Sequence, residues 1–244
     1  WPGECNFPDY TNPVVREWWA GLFKELISDI GVKGVWNDMN EPAVMEVPNK
    51  TFPMDVRHDY DGNPCSHRKA HNIYGTQMAR ATYHGVKRFA YPKRPFVITR
   101  SAYAGAQRYS SSWTGDNVAS WEHLWIANIQ MQRMSISGMG FTGSDIGGFA
   151  EQPSGELYAR WIQLGVFHPF CRTHSSGDHG DQEPWAFDEE VTNIIRKFVN
   201  LRYQLLPYLY TMFWQYIEQG IPMLKPLVYY DQDDIQTHYR NDEF

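Results

Sequence analysis

Five times along this chain a short β-prone run stops at a charged group and gives way to a helical pattern. The runs end at Asp38, Arg100, Asp116, Asp145, and Arg172 with His174. Strands alternating with helices imply parallel βα units joined by right-handed crossovers. An open sheet gathers its ligand groups chiefly at one switch point, whereas a barrel carries a polar rim at successive strand ends. The expected class is therefore α/β, as a (β/α)8 TIM barrel. Five strands are too few to close eight, and a helix precedes the first of them. The chain is accordingly read as about strands four to eight, with the first three units upstream.

Helical spacing predicts a helix from Pro13, capped by Asn12, through Val14, Trp18, Leu22 and Leu26 to near Gly31. Further helices are expected at about 70–89, 120–136, 155–164 and 188–218. Strands are expected at Val32–Trp36, Pro95–Thr99, Ser110–Thr114, Gly138–Thr142 and Val166–Cys171. The stretch from Glu41 to about Arg68 carries four prolines and reads as a long functional loop. Residues 1–219 form the barrel part in this reading. Residues 220–244, with a strand at Ile221–Tyr230, begin a following β-sandwich domain. Half a barrel leaves unpaired sheet edges, so residues 1–244 alone are expected to be inactive and poorly stable, with the rest of the polypeptide completing the barrel.

Chemistry concentrates first in Val35-Trp36-Asn37-Asp38-Met39-Asn40-Glu41-Pro42. An Asp beside a Trp at a strand end suits a sugar, whose ring stacks on the indole while the carboxylate attacks or steadies the anomeric carbon. A cap for the next helix would need neither the amide, the second carboxylate nor the Trp. A second such pair stands in Trp113-Thr114-Gly115-Asp116-Asn117. Two carboxylates are what glycoside cleavage requires, one to attack and one to protonate the departing oxygen.

Composition narrows the partners. With net charge −6 and Lys and Arg dispersed, nucleic acid and polyanionic substrates are not expected. Aromatic residues reach 16%, with ten Trp, enough to line a carbohydrate cleft as well as a core. Cys5, Cys65 and Cys171 have no metal or disulfide-framework spacing, though one pair could bridge. No apolar run has the length of a membrane span. Asn49-Lys50-Thr51 matches a glycosylation triplet, a pattern common by chance.

The chain resembles the retaining α-glucosidases of glycoside hydrolase family 31. The matching pieces are Trp1-Pro2-Gly3, Phe7-Pro8-Asp9-Tyr10-Thr11-Asn12-Pro13, Trp36 to Pro42, Arg100-Ser101, Trp113 to Asn117, Gly143 to Phe149, and Pro169 to Ser175. The resemblance implies Asp38 as nucleophile and Asp116 as acid/base. It implies Arg100, Asp145 and His174 on the sugar hydroxyls, and Arg172 orienting the carboxylates. Trp1, Trp36, Trp113 and Phe149 become aromatic walls, with Met39 beside the nucleophile. Each has a plainer alternative: Arg100 neutralising buried Asp neighbours, Asp145 in an Asx turn, Trp36 and Phe149 as core. His174, Asp178, His179 and Asp181 read as a solvated loop and not as a metal site. Glu41 is read as support for the motif.

The implied activity is exo-hydrolysis of terminal α-glucosidic bonds of oligosaccharides through a β-glucosyl-Asp intermediate, with no cofactor or metal. Same-family α-xylosidase, α-glucan lyase or transglycosylase chemistry, or an inactive carbohydrate-binding relative, are the alternatives. Nothing in the sequence indicates the compartment.

Overall fold

The structure is a computed structural model describing residues 3–178 and 180–244. The chain divides into two compact units, Trp1–Ser112 and Trp113–Phe244.

In the first unit α1 (Pro13–Gly21) starts where Asn12 Oδ1 accepts from Val14 N at 2.8 Å, with Pro13 at the position that needs no N–H. The helix does not run unbroken to Gly31. A π turn, Glu25–Asp29, follows, with Ile30 N bonded to Glu25 O. Phe23 and Ile27 stay on the buried side of this stretch, against Val86 and Val97. Strand β1 (Val35–Asn37) begins three residues later than expected, since Val32 N bonds back to Leu26 O at 2.9 Å and the first bond to the neighbouring strand is from Val35 N to Phe96 O.

The expected loop contains a small antiparallel hairpin, β2 (Arg57–His58) and β3 (Cys65–Ser66), turned through left-handed Tyr60, Asp61 and Gly62. Helix α2 (His67–Ala90) follows, and its last turn carries Lys87 and Arg88, the charges that suit a helix C-terminus. Strand β4 (Val97–Thr99) lies parallel to β1, with Asn37 opposite Thr99. Strand β5 (Ser111–Trp113) continues the parallel order, with Thr99 opposite Ser112. The ends of β1 and β4 therefore lie side by side.

In the second unit the described α-helices carry side-chain caps at their N-termini. Ser120 caps α3 (Trp121–Ile136), Ser154 caps α4 (Gly155–Gly165), and Asp188 caps α5 (Glu189–Gln219). The core joins Ile146, Leu157, Tyr158, Trp161 and Ile162 to Val191 and Ile195. Strands β6 (Thr142–Gly143) and β7 (Asp145–Ile146) are two residues each. Strand β8 (Arg172–Thr173) pairs parallel with β7, Asp145 facing Arg172.

Two strand expectations fail outright, and Gly138–Thr142 is met only at Thr142, where β6 begins. Val166 ends α4 and the next residues turn, because Arg202 of α5 donates to the carbonyls of Val166, His168 and Pro169, so the strand starts only at Arg172. Ile221–Tyr230 forms no strand. Its Leu224 N bonds instead to Ser135 Oγ at 2.9 Å, and Leu227–Tyr229, just after Pro226, closes a 3-10 turn.

Candidate active site

Asp38 leaves β1 at its C-terminal end, and the next residue sets its geometry. Met39 takes a left-handed φ of 57°, uncommon for a side chain of its size, and its N–H donates to Asp38 Oδ1 at 2.8 Å. Arg100 follows β4, its own N donating to Asn37 O at 3.0 Å. Parallel neighbours thus deliver Asp38 and Arg100 to the same edge, with Arg100 Nη1 at 3.4 Å from Asp38 Oδ1. Arg100 Nη2 also rests against Met39 Sδ. The Asp38 side chain is 41% exposed, against 15% for Arg100. A carboxylate held on one oxygen and open to solvent is free to meet an electrophile.

Asn40 fixes this corner. Its buried amide donates to Thr99 Oγ1 at 2.8 Å and to Gly75 O at 3.4 Å, and its Oδ1 accepts from Ser101 N at 3.0 Å. Gly75 is required there, since a Cβ would lie 2.7 Å from Asn40 O. Trp36 stands exposed on β1, so it is not core.

The second unit carries the remaining expected residues. Asp116 is exposed and follows Gly115, whose φ of 81° demands glycine. The next residue, Asn117, is buried and donates to Asp145 O at 2.9 Å, while Phe149 N donates to Asn117 Oδ1 at 2.9 Å. This ties the loop of Asp116 to the loop after β7. Asp145 is fully buried, and its Oδ1 takes Arg172 Nε at 3.1 Å and Nη2 at 3.0 Å. The Arg172 guanidinium lies 5.1 Å from the centre of the Trp113 ring. The Phe149 and His174 rings face each other at a tilt of 34°, their centres 5.1 Å apart. Trp1 lies outside the described residues, as does His179. Among the described residues no group of three His, Cys, Asp or Glu is arranged to hold a metal ion, and no helix is long and apolar enough to cross a membrane.

Sequence reasoning passed over a buried polar array in the first unit. Asp9 Oδ1 meets His58 Nδ1 at 2.9 Å, His58 Nε2 meets His67 Nδ1 at 2.9 Å, and His67 Nε2 meets Thr51 Oγ1 at 3.1 Å. Burial works to raise the Asp9 carboxyl, but hydrogen bonds from Asp59 N, His58 and Thr11 outweigh it and hold it below the usual carboxylate range. Burial first, then His58 and His71, push His67 down to about 4. The array anchors the hairpin of the long loop after the Asp38 motif. Its one sequence signal was Asp9, two residues before the Thr that hydrogen-bonds it.

Parallel strands alternating with helices, with charged groups at the strand ends, make this an α/β barrel segment. Residues 1–212 match the glycosyl hydrolases family 31 TIM-barrel domain. The chain belongs to glycosyl hydrolase family 31 and forms part of its barrel. It is 47% identical to alpha-glucosidase 2 of Bacillus thermoamyloliquefaciens over 246 residues, 100% of this chain and 31% of that protein. The ER glucosidase II heterodimeric complex has a chain that superposes with TM-score 0.85 at 41% identity, over 91% of this chain and 24% of its own length. A Flavobacterium johnsoniae family 31 dextranase complexed with glucose gives TM-score 0.84 at 34% identity, over 99% and 30%. The chain thus spans less than a third of the length of these relatives.

Proposed function

We propose that the complete protein is a retaining, exo-acting α-glucosidase that takes α-linked gluco-oligosaccharides. The observation that carries this reading is Asp38, exposed at the end of a parallel strand yet held on one oxygen by Met39 N and Arg100. Asp38 attacks the anomeric carbon while Asp116 protonates the departing oxygen, giving a β-glucosyl-Asp38 ester. Asp116 then takes a proton from water, which attacks the ester and releases α-glucose. No cofactor enters this scheme.

Trp1, Trp36, Trp113 and Phe149 offer apolar faces to the C–H sides of the pyranose, with Met39 beside the nucleophile. Arg100, Asp145 and His174 serve its hydroxyls, and Arg172 orients the carboxylates. Residues 1–219 belong to the barrel in this proposal, and residues 220–244 open a following domain. The family match ending at residue 212 and the end of α5 at Gln219 support that division.

The test is turnover of an aryl α-glucoside by the complete protein. Asp38→Ala should abolish it, and near wild-type turnover would refute the assignment. Asp116→Ala should spare ester formation from substrates with good leaving groups and slow its hydrolysis. A carboxyl separation of about 5–5.5 Å is the retaining geometry. Products from maltose, an α-xyloside and starch would separate glucosidase from xylosidase, lyase and transglycosylase chemistry.

A further inference from the structure

Glu41 is the acidic group of the nucleophile motif to which the mechanism gives no task. Its carboxylate takes Arg100 Nε at 2.9 Å and Arg100 Nη2 at 3.0 Å. That is the planar two-bond register in which guanidinium and carboxylate pair most strongly. The same guanidinium approaches Asp38 through Nη1 alone, at 3.4 Å, longer than a charge-assisted hydrogen bond. Of these two carboxylates Glu41 takes the shorter bonds from the shared cation.

This division has a chemical consequence. A nucleophilic carboxylate must bring a lone pair to the anomeric carbon, and its charge must fall as the ester forms. A guanidinium paired in two-bond fashion with Asp38 would occupy those lone pairs. It would also stabilise the charged ground state more than the transition state. Arg100 is largely buried, so its charge is screened little by water and seeks a carboxylate. With the charge on Glu41 removed, Asp38 is already within one side-chain adjustment of that pairing. We propose that Glu41 is a positioning residue that keeps Arg100 from closing on Asp38 and so leaves the nucleophile free to react. The inference rests on the reading of Asp38 as the nucleophile.

The test uses the complete enzyme and an aryl α-glucoside with a good leaving group, so that ester formation is observed. Glu41→Gln keeps the shape and removes the charge. It is expected to lower kcat by about ten- to a hundredfold with a smaller change in KM. The acid limb of the kcat/KM profile should move to lower pH, since a neighbouring negative charge is lost and a positive one turns toward Asp38. Glu41→Asp, which restores the charge, should return the limb close to its wild-type position. Wild-type kcat in Glu41→Gln would overturn the inference. So would a lowered kcat with an unmoved acid limb, the pattern of a purely structural role. Should Glu41→Gln fail to fold, Glu41→Asp decides: a limb displaced as far as half a unit would overturn the idea. Asp38→Ala is measured alongside. Activity retained there would remove the nucleophile reading itself, whereas an inactive Asp38→Ala with a wild-type Glu41→Gln would remove this inference alone.

Discussion

His168 lies in the turn before β8 with no exposed surface, and neither ring nitrogen has a hydrogen-bond partner among the described residues. Burial, then the charge of Arg202, push its pKa from the ordinary 6.5 down to about 4. In the unfolded chain the ring takes a proton near 6.5, whereas in the fold it does so only near 4. The stability tied to the neutral ring is therefore complete above 6.5 and is lost as the pH falls toward 4. The span is about two and a half pH units at ~1.4 kcal/mol each, or about 3 kcal/mol in all. At pH 4.5 most of it, about 2–3 kcal/mol, should already be gone. His168→Gln is close in volume and cannot be protonated. Urea unfolding, followed by tryptophan fluorescence at pH 7.5 and 4.5, should show wild type losing about 2–3 kcal/mol more than the variant. The downward shift of His67 adds its own acid loss, but it is present in both proteins and cancels in the difference. Equal losses in the two proteins would refute the reasoning, for then His168 would not be a neutral ring that the fold keeps from charging.

Three substitutions test the local geometry. Gly143→Ala would place a Cβ 1.9 Å from Phe170 O, a backbone atom that cannot step aside, so a loss of about 3 kcal/mol or more is expected in urea unfolding. Arg172→Lys replaces two contacts to a fully buried Asp145 oxygen by one and should cost about 2–3 kcal/mol by the same measurement. Asn40→Ala leaves Ser101 N without its side-chain acceptor and frees the corner after β1, so a loss of about 2 kcal/mol and a fall in turnover should appear together.

The strand ends were legible because they obey a local rule: an apolar run broken by a charge. Asp38, Arg100, Asp145 and Arg172 all stand at or directly after strands that the pattern announced or that lie within a few residues of it. What stayed hidden depends on contacts distant in sequence. Arg202 takes three carbonyls more than thirty residues away, and so turns a run that reads as β into a loop. His58 and His67 lie in a polar stretch without periodicity, and only the hairpin brings their rings within hydrogen-bond distance. Residues Ile221–Tyr230 form no strand for the same reason, since their local pattern carries no information about Ser135 on α3.

Burial separates acidic groups that look alike in the sequence. Asp38, Asp116 and Asp145 each follow or occupy a strand end, and each has polar or glycine neighbours. Asp145 has no exposed surface and engages Arg172 with Oδ1, so bringing it to an anomeric carbon would mean breaking a buried ion pair. Asp38 and Asp116 are exposed, and each has a buried, hydrogen-bonded amide close by: Asn40 near the first, Asn117 beside the second. Both loops thus immobilise a buried amide and leave the carboxylate near it reachable. A reacting group needs a fixed position, and a buried amide one or two residues away helps to supply it. By this argument the two asparagines, which sequence reading passed over as neighbours of the acids, are what fit Asp38 and Asp116 for the proposed displacement.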